Sequence, residues 1–170
     1  MQNIGSYTFQ FDFAEDRIRV IGNLNNGQPR MDFWLTRRLT LKLLDAANQL
    51  VRQTSERVSQ TPQAHQGEMA EFEHQKAQQQ MQLNQEPVPP LSTDQGGIQL
   101  LHRIDISFKQ NSYILLLFCH SQEAAVASST LTYDELHQIF HLIHTGCEKL
   151  EWGVSPQLFA SQAQNQTTLQ

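Results

Sequence analysis

An internal echo at an offset of 96 residues constrains this chain more than any single motif. Ile18, Val20, Leu35, Thr36, Leu43 and Leu44 fall without a gap on Ile114, Leu116, Leu131, Thr132, Ile139 and Phe140. Few of these are identities, so the echo is one of pattern. A supersecondary unit used twice predicts an architecture before any chemistry is considered, and it admits a pseudo-twofold arrangement.

The first copy reads as three strands and a helix. Phe9, Phe11 and Phe13 alternate with polar residues, the period of a half-buried strand. Ala14-Glu15-Asp16 turns the chain into a second strand through Ile18 and Val20. Asn25-Asn26-Gly27 is a hairpin signal, because Asn and Gly tolerate the positive φ of tight turns. A third strand is expected from about residue 28 to Leu35, with Met31 and Phe33 on one face. Thr36 then caps a helix whose stripe is Leu39, Leu43, Leu44, Ala47 and Leu50. Pro62 ends that helix at the latest.

The second copy replays the order. Ile104, Ile106 and Phe108 alternate, residues 109–112 turn, and Tyr113 to His120 form a nearly continuous apolar strand. A strand from about Ala124 to Thr130 leads to Thr132-Tyr-Asp-Glu135, a capping-box pattern. Leu136, Ile139, Phe140, Ile143, Cys147 and Leu150 then give a helical stripe, in which Gly146 costs about 1 kcal/mol of helix propensity relative to Ala. The expected fold is α+β: two βββα repeats, residues 1–53 and 98–153, forming antiparallel sheet with both helices on one face. Together they make one domain. Between them, residues 54–97 form a Gln- and Pro-rich insert, read as disorder or a marginal solvated helix. Residues 154–170 read as a mobile tail.

Charge is unevenly placed. Residues 1–52 hold seven Lys/Arg against five acids (+2), while 53–97 carry −4 and 98–170 carry −3, for −5 in all. An acidic chain argues against an overall electrostatic grip on nucleic acid or on an anionic membrane. Cys119 and Cys147 sit at predicted core positions and resemble no disulfide framework. The N-terminus shows no secretory pattern, and the longest apolar run is too short to span a bilayer, so a soluble cytoplasmic protein is expected.

Three groups of residues carry possible chemistry. His137, His141 and His144 form one narrow stripe on the last helix, and the i,i+4 spacing offers paired imidazoles to a metal. Residues 138–140 are Gln, Ile and Phe, so the glutamate of a catalytic HExxH motif is missing. Without a metal the stripe is a polar helix flank. Arg17, Arg19, Arg30, Arg37 and Arg38 lie beside Phe33 and Trp34, a combination that can stack and neutralise single-stranded nucleic acid. Met69, Phe72, Met81 and Leu83 are large apolar residues of the insert, and they suit capture of a protein partner.

Catalytic templates are missing: no GxSxG elbow, glycine-rich phosphate loop, dinucleotide fingerprint or CxxC is present. The expectation is a non-enzymatic protein-binding or assembly module without a cofactor, self-associating through sheet edges or helices. A nucleic-acid-binding module is the second reading and a metal-binding protein the third.

Overall fold

In the computed structural model, residues 1–82, 87–92, 96–120 and 122–159 are described. The strands are β1 (Gln2–Asn3), β2 (Tyr7–Asp12), β3 (Arg17–Gly22), β4 (Met31–Thr36), β5 (Gln99–Lys109), β6 (Ser112–Cys119) and β7 (Ala127–Leu131). The helices are α1 (Arg37–Thr54), α2 (Glu56–Gln60), α3 (Gln66–Gln79) and α4 (Tyr133–Lys149), with a 3₁₀ turn over Gln63–His65. The fold is α+β, with one seven-stranded sheet in the order β1-β7-β6-β5-β4-β3-β2.

The sheet is mixed, where a purely antiparallel one was expected. β4 and β5 run parallel, as do β1 and β7. The parallel junction follows from the helical connection between them: α1 to α3 carry the chain back to the end of the sheet from which β4 started, so β5 enters in the same direction. β1 is two polar residues long and has no periodicity to reveal it.

Both N-caps form as their sequences predict. The Leu39 amide donates to Thr36 Oγ1 at 3.3 Å. Thr132 and Glu135 complete a reciprocal capping box at the start of α4. The apolar stripes of α1 (Leu43, Leu44, Ala47) and α4 (Leu136, Ile139, Phe140, Ile143, Cys147) enter one core with Ile18, Val20, Phe33, Leu35, Leu115 and Leu117.

The echo matches these helices but not all the strands. Thr36 and Thr132 are both N-caps, and Leu43 and Leu44 are core residues like Ile139 and Phe140. Ile18 and Val20 also face the core. Their counterparts Ile114 and Leu116 do not, because Tyr113, Leu115 and Leu117 take the inward positions of β6. With a side-chain period of two, a one-residue slip sends the whole set to the opposite face.

Asn23 ties the N-terminal strands together. It is buried and sits at φ 59°, a left-handed conformation that Asn tolerates better than most residues. Its Oδ1 accepts from the Gly5 amide (2.9 Å) and from Asn26 Nδ2 (2.7 Å). Its Nδ2 donates to the carbonyls of Asn3 (2.8 Å) and Pro29 (3.2 Å). The loop from β3 to β4 is therefore longer than a tight Asn-Gly hairpin, and β4 begins at Met31.

α4 touches β2 near one end of the strand order and β6 and β7 near the other. The sheet must curl around this helix for both contacts to exist. Gly146 is what lets β2 approach: a Cβ placed there would lie 2.4 Å from Phe11 Cε1 and 3.0 Å from Ile18 Cδ1. Gly146→Ala is therefore expected to destabilise the protein by roughly 1–3 kcal/mol, the usual range for overpacking, despite its better helix propensity. A thermal or urea midpoint at or above that of the parent chain would contradict this placement.

Candidate functional site

α3 packs on α4, and the side chains it buries are unusual. Gly67, Ala70, Glu73, His74 and Ala77 face inward, at helical spacing. The small residues bring the two helices close, and the two polar ones are satisfied by partners on neighbouring elements. Glu73 Oε2 accepts from Ser55 Oγ at 2.9 Å and from the Tyr133 hydroxyl. Thr54 Oγ1 shares a hydrogen bond with the Tyr113 hydroxyl at 2.6 Å. A polar seam thus runs from the α1–α2 junction across α3 to α4. Burial, with the Glu73 carboxylate beside it, pushes the Tyr133 hydroxyl far above its ordinary pKa, so it is a fixed donor.

Within the insert the chain forms α2 and α3, and α3 buries one face against α4 where a marginal solvated helix was one expectation. The segment after α4 is also tied down up to the last residue described. Phe159 is fully buried with Val51, Val58 and Ala70 in a second small core. Of the tail expected from 154 to 170, residues 154–159 pack onto the fold through Phe159, and residues 160–170 lie outside the described residues.

These two segments cover the histidine stripe, which was expected to be a polar helix flank unless it bound a metal. His137 is fully buried and His144 nearly so. His137 Nδ1 lies 3.0 Å from His74 Nδ1, and the Phe159 ring packs against both imidazoles. His137 Nε2 is buried without a hydrogen-bond partner. His144 instead points to the tail, with Nε2 2.7 Å from the Ser155 carbonyl. His141 meets His74 edge-on. The three stripe histidines therefore do not converge, and among the described residues no three His, Cys, Asp or Glu side chains are grouped to hold a metal ion.

Burial holds the His74 and His137 imidazoles neutral. His74 is pushed down to about 3 by desolvation, reinforced by His137, His141 and His144, and His137 is pushed down to about 4 by desolvation. A neutral pair shares one proton between the two Nδ1 atoms; protonating both would aim two N–H groups at each other. The same burial raises the Cys147 thiol to about 12 and leaves it an inert core group.

The five arginines are not gathered into one surface. Arg19 and Arg30 are brought together, but around buried Asp32: Arg19 Nη2 lies 2.6 Å from Oδ2 and Arg30 Nε 2.7 Å from Oδ1. Arg30 also donates to the Pro89 carbonyl at 2.8 Å. Arg37 donates to the Trp152 carbonyl at 3.3 Å, Arg17 sits 4.0 Å from Glu15, and Arg38 is exposed at the start of α1. Asp32 neutralises one of its two arginines, and both side chains are largely withdrawn from solvent.

The insert's apolar residues are likewise dispersed. Met69 packs against the second core, Phe72 is 58% exposed, and Met81 lines a 270 Å³ cleft between β2 and α4. Leu83 lies outside the described residues. Tyr7 also lines that cleft; burial pushes its hydroxyl up to about 12, with the nearby Ser129 side chain acting in the opposite direction.

A surface that sequence reasoning did not locate lies along β5. β4 pairs with β5 only at Phe33–Gln99 and Trp34–Leu100, then turns into α1. From residue 103 to 109 β5 is paired with β6 alone among the described strands. Gln110 and Asn111 both have positive φ, which makes a two-residue hairpin closed by the Lys109–Ser112 pair. Counting back from that pair, residues 109, 107, 105 and 103 bond to β6, and Phe108, Ile106 and Ile104 turn their amides and carbonyls outward. The free edge adjoins a 480 Å³ groove between Leu39, Leu43 and Leu50 of α1 and Ile104 and Ile106 of β5. No sequence signal marked it: the mismatch, with β5 at 11 residues and β4 at six, appears only in the structure.

No protein family, curated protein or solved structure matches this chain. No helix among the described residues is long and apolar enough to cross a membrane.

His74 and His137 make stability depend on pH with a definite sign. Their folded pKa values lie below the ordinary 6.5, so unfolding takes up protons and stability falls as pH drops from about 6.5 towards 4. Two such groups give a slope approaching 2.7 kcal/mol per pH unit, at about 1.36 each. His74→Leu is expected to reduce that slope by about half. Urea midpoints measured across this range should then differ in pH dependence; parallel curves for parent and variant would refute it.

Proposed function

We propose that the protein is a non-enzymatic protein-binding and assembly module that takes up an extended strand along β5. The observation that carries this reading is the half-paired β5, whose outward amides and carbonyls at Ile104, Ile106 and Phe108 border an apolar groove. A bare edge of this kind recruits strands: main-chain hydrogen bonds supply affinity, and side-chain pockets on one face supply selectivity. The groove wall from α1 suits a strand with apolar residues at alternate positions, like the segment 104–108 itself. We read the two βββα units as one plan used twice, with α1 standing where a longer β4 would have closed the sheet.

The test is an NMR titration of the protein with a synthetic peptide of residues 103–109. The amides of Ile104, Ile106 and Phe108 are expected to exchange fast in the dilute protein and to gain at least tenfold protection with peptide. Those of Asp105, Ser107 and Lys109, bonded to β6, should be protected throughout. Fast exchange at residues 104, 106 and 108 under all conditions would overturn strand addition here.

A further inference from the structure

We infer that the strand accepted by β5 is the β5 of a second copy, paired antiparallel about a twofold axis at Ser107. This inference rests on the strand-addition reading and names its partner. A strand that pairs with its own copy must match itself in hydrogen bonding, in apolar contacts and in charge, and each requirement narrows the register.

Hydrogen bonding comes first. The outward groups belong to residues 104, 106 and 108, so a permitted register must set these opposite one another. With Ser107 on the axis, Ile106 faces Phe108 of the other copy, and Phe108 faces its Ile106, as two hydrogen-bonded pairs. Phe108 is among the few large apolar side chains left exposed, at 38%. The pairing covers it twice by symmetry.

Charge then selects among the permitted registers. With the axis at Ser107, Asp105 stands opposite Lys109 of the other copy at both ends. These are non-hydrogen-bonded positions, where facing Cα atoms are only about 4.5 Å apart and side chains meet. Arg103, 3.3 Å from Asp105 within its own strand, extends the ladder. Moving the axis to Ile106 would set Arg103 against Lys109, like charges facing twice. Moving it to Asp105 would set that carboxylate against itself and push the other copy towards the β4 pairing at Leu100. The Ser107 register alone among these three pairs opposite charges.

The experiment is sedimentation velocity over a concentration series, on the full chain and on Asp105→Lys, Lys109→Asp and the double exchange. All three keep exposed side chains on the outer face of β5. Each single exchange converts two attractive pairs into two repulsive ones and is expected to weaken dimerisation by roughly tenfold or more, while the double exchange restores it. If the parent chain dimerises and the double exchange does not rescue the singles, the Ser107 register is wrong. Ile106→Pro, which removes an outward amide, then decides between explanations, with its thermal midpoint checked for folding. A loss of dimer leaves the edge in use in another register, and an intact dimer removes the edge altogether. A parent chain that is monomeric at every concentration overturns the second-copy inference, and the peptide titration then judges strand addition separately.

Discussion

The packing of α4 between the sheet, α3 and the segment ending at Phe159 organises this molecule. Its apolar stripe fills the concave side of the sheet, and Gly146 lets Phe11 and Ile18 pack onto its backbone. Its remaining flank, carrying His137 and His144, is roofed by α3 and the segment ending at Phe159. A helix enclosed in this way needs the sheet to curl, which accounts for contact with both β2 and β7. Hydrophobic burial at roughly 25 cal/mol per Å² makes such enclosure the largest favourable contribution available to a chain of this size.

The roof is polar where a core would ordinarily be apolar. Glu73, Ser55, Tyr133, Thr54 and Tyr113 satisfy one another, so their desolvation is offset by hydrogen bonds. The histidine pair is less complete, since His137 Nε2 has no partner. That combination makes α3 the part of the fold most sensitive to protonation.

The sheet, in turn, is organised by where β4 stops. Thr36 caps α1 at the point where β4 would have continued beside β5, so the capping chemistry of one threonine leaves seven residues of β5, among the described residues, without a neighbouring strand on one side. Open edges are usually blunted by charge, and β5 carries Arg103, Asp105 and Lys109. Their order along the strand repels some pairings and favours one, so the charges select a partner strand as much as they deter others.

Local signals alone determined a good deal. The capping residues Thr36 and Thr132, the helical stripes of α1 and α4, the alternation in β2 and β5 and the turn between β5 and β6 all follow from interactions within a few residues. Tertiary contacts decided the rest. Phe13, continuing the alternation of β2, lies beyond its end and is 69% exposed. Met69 and Phe72 are the obvious apolar residues of α3, yet the helix buries Gly67, Ala70, His74 and Ala77, because close approach to α4 rewards small size and a matched polar partner over hydrophobicity. The face taken by Ile114, the burial of His137 and the bare edge of β5 each depend on which distant segment lies alongside, and periodicity carries no record of that choice.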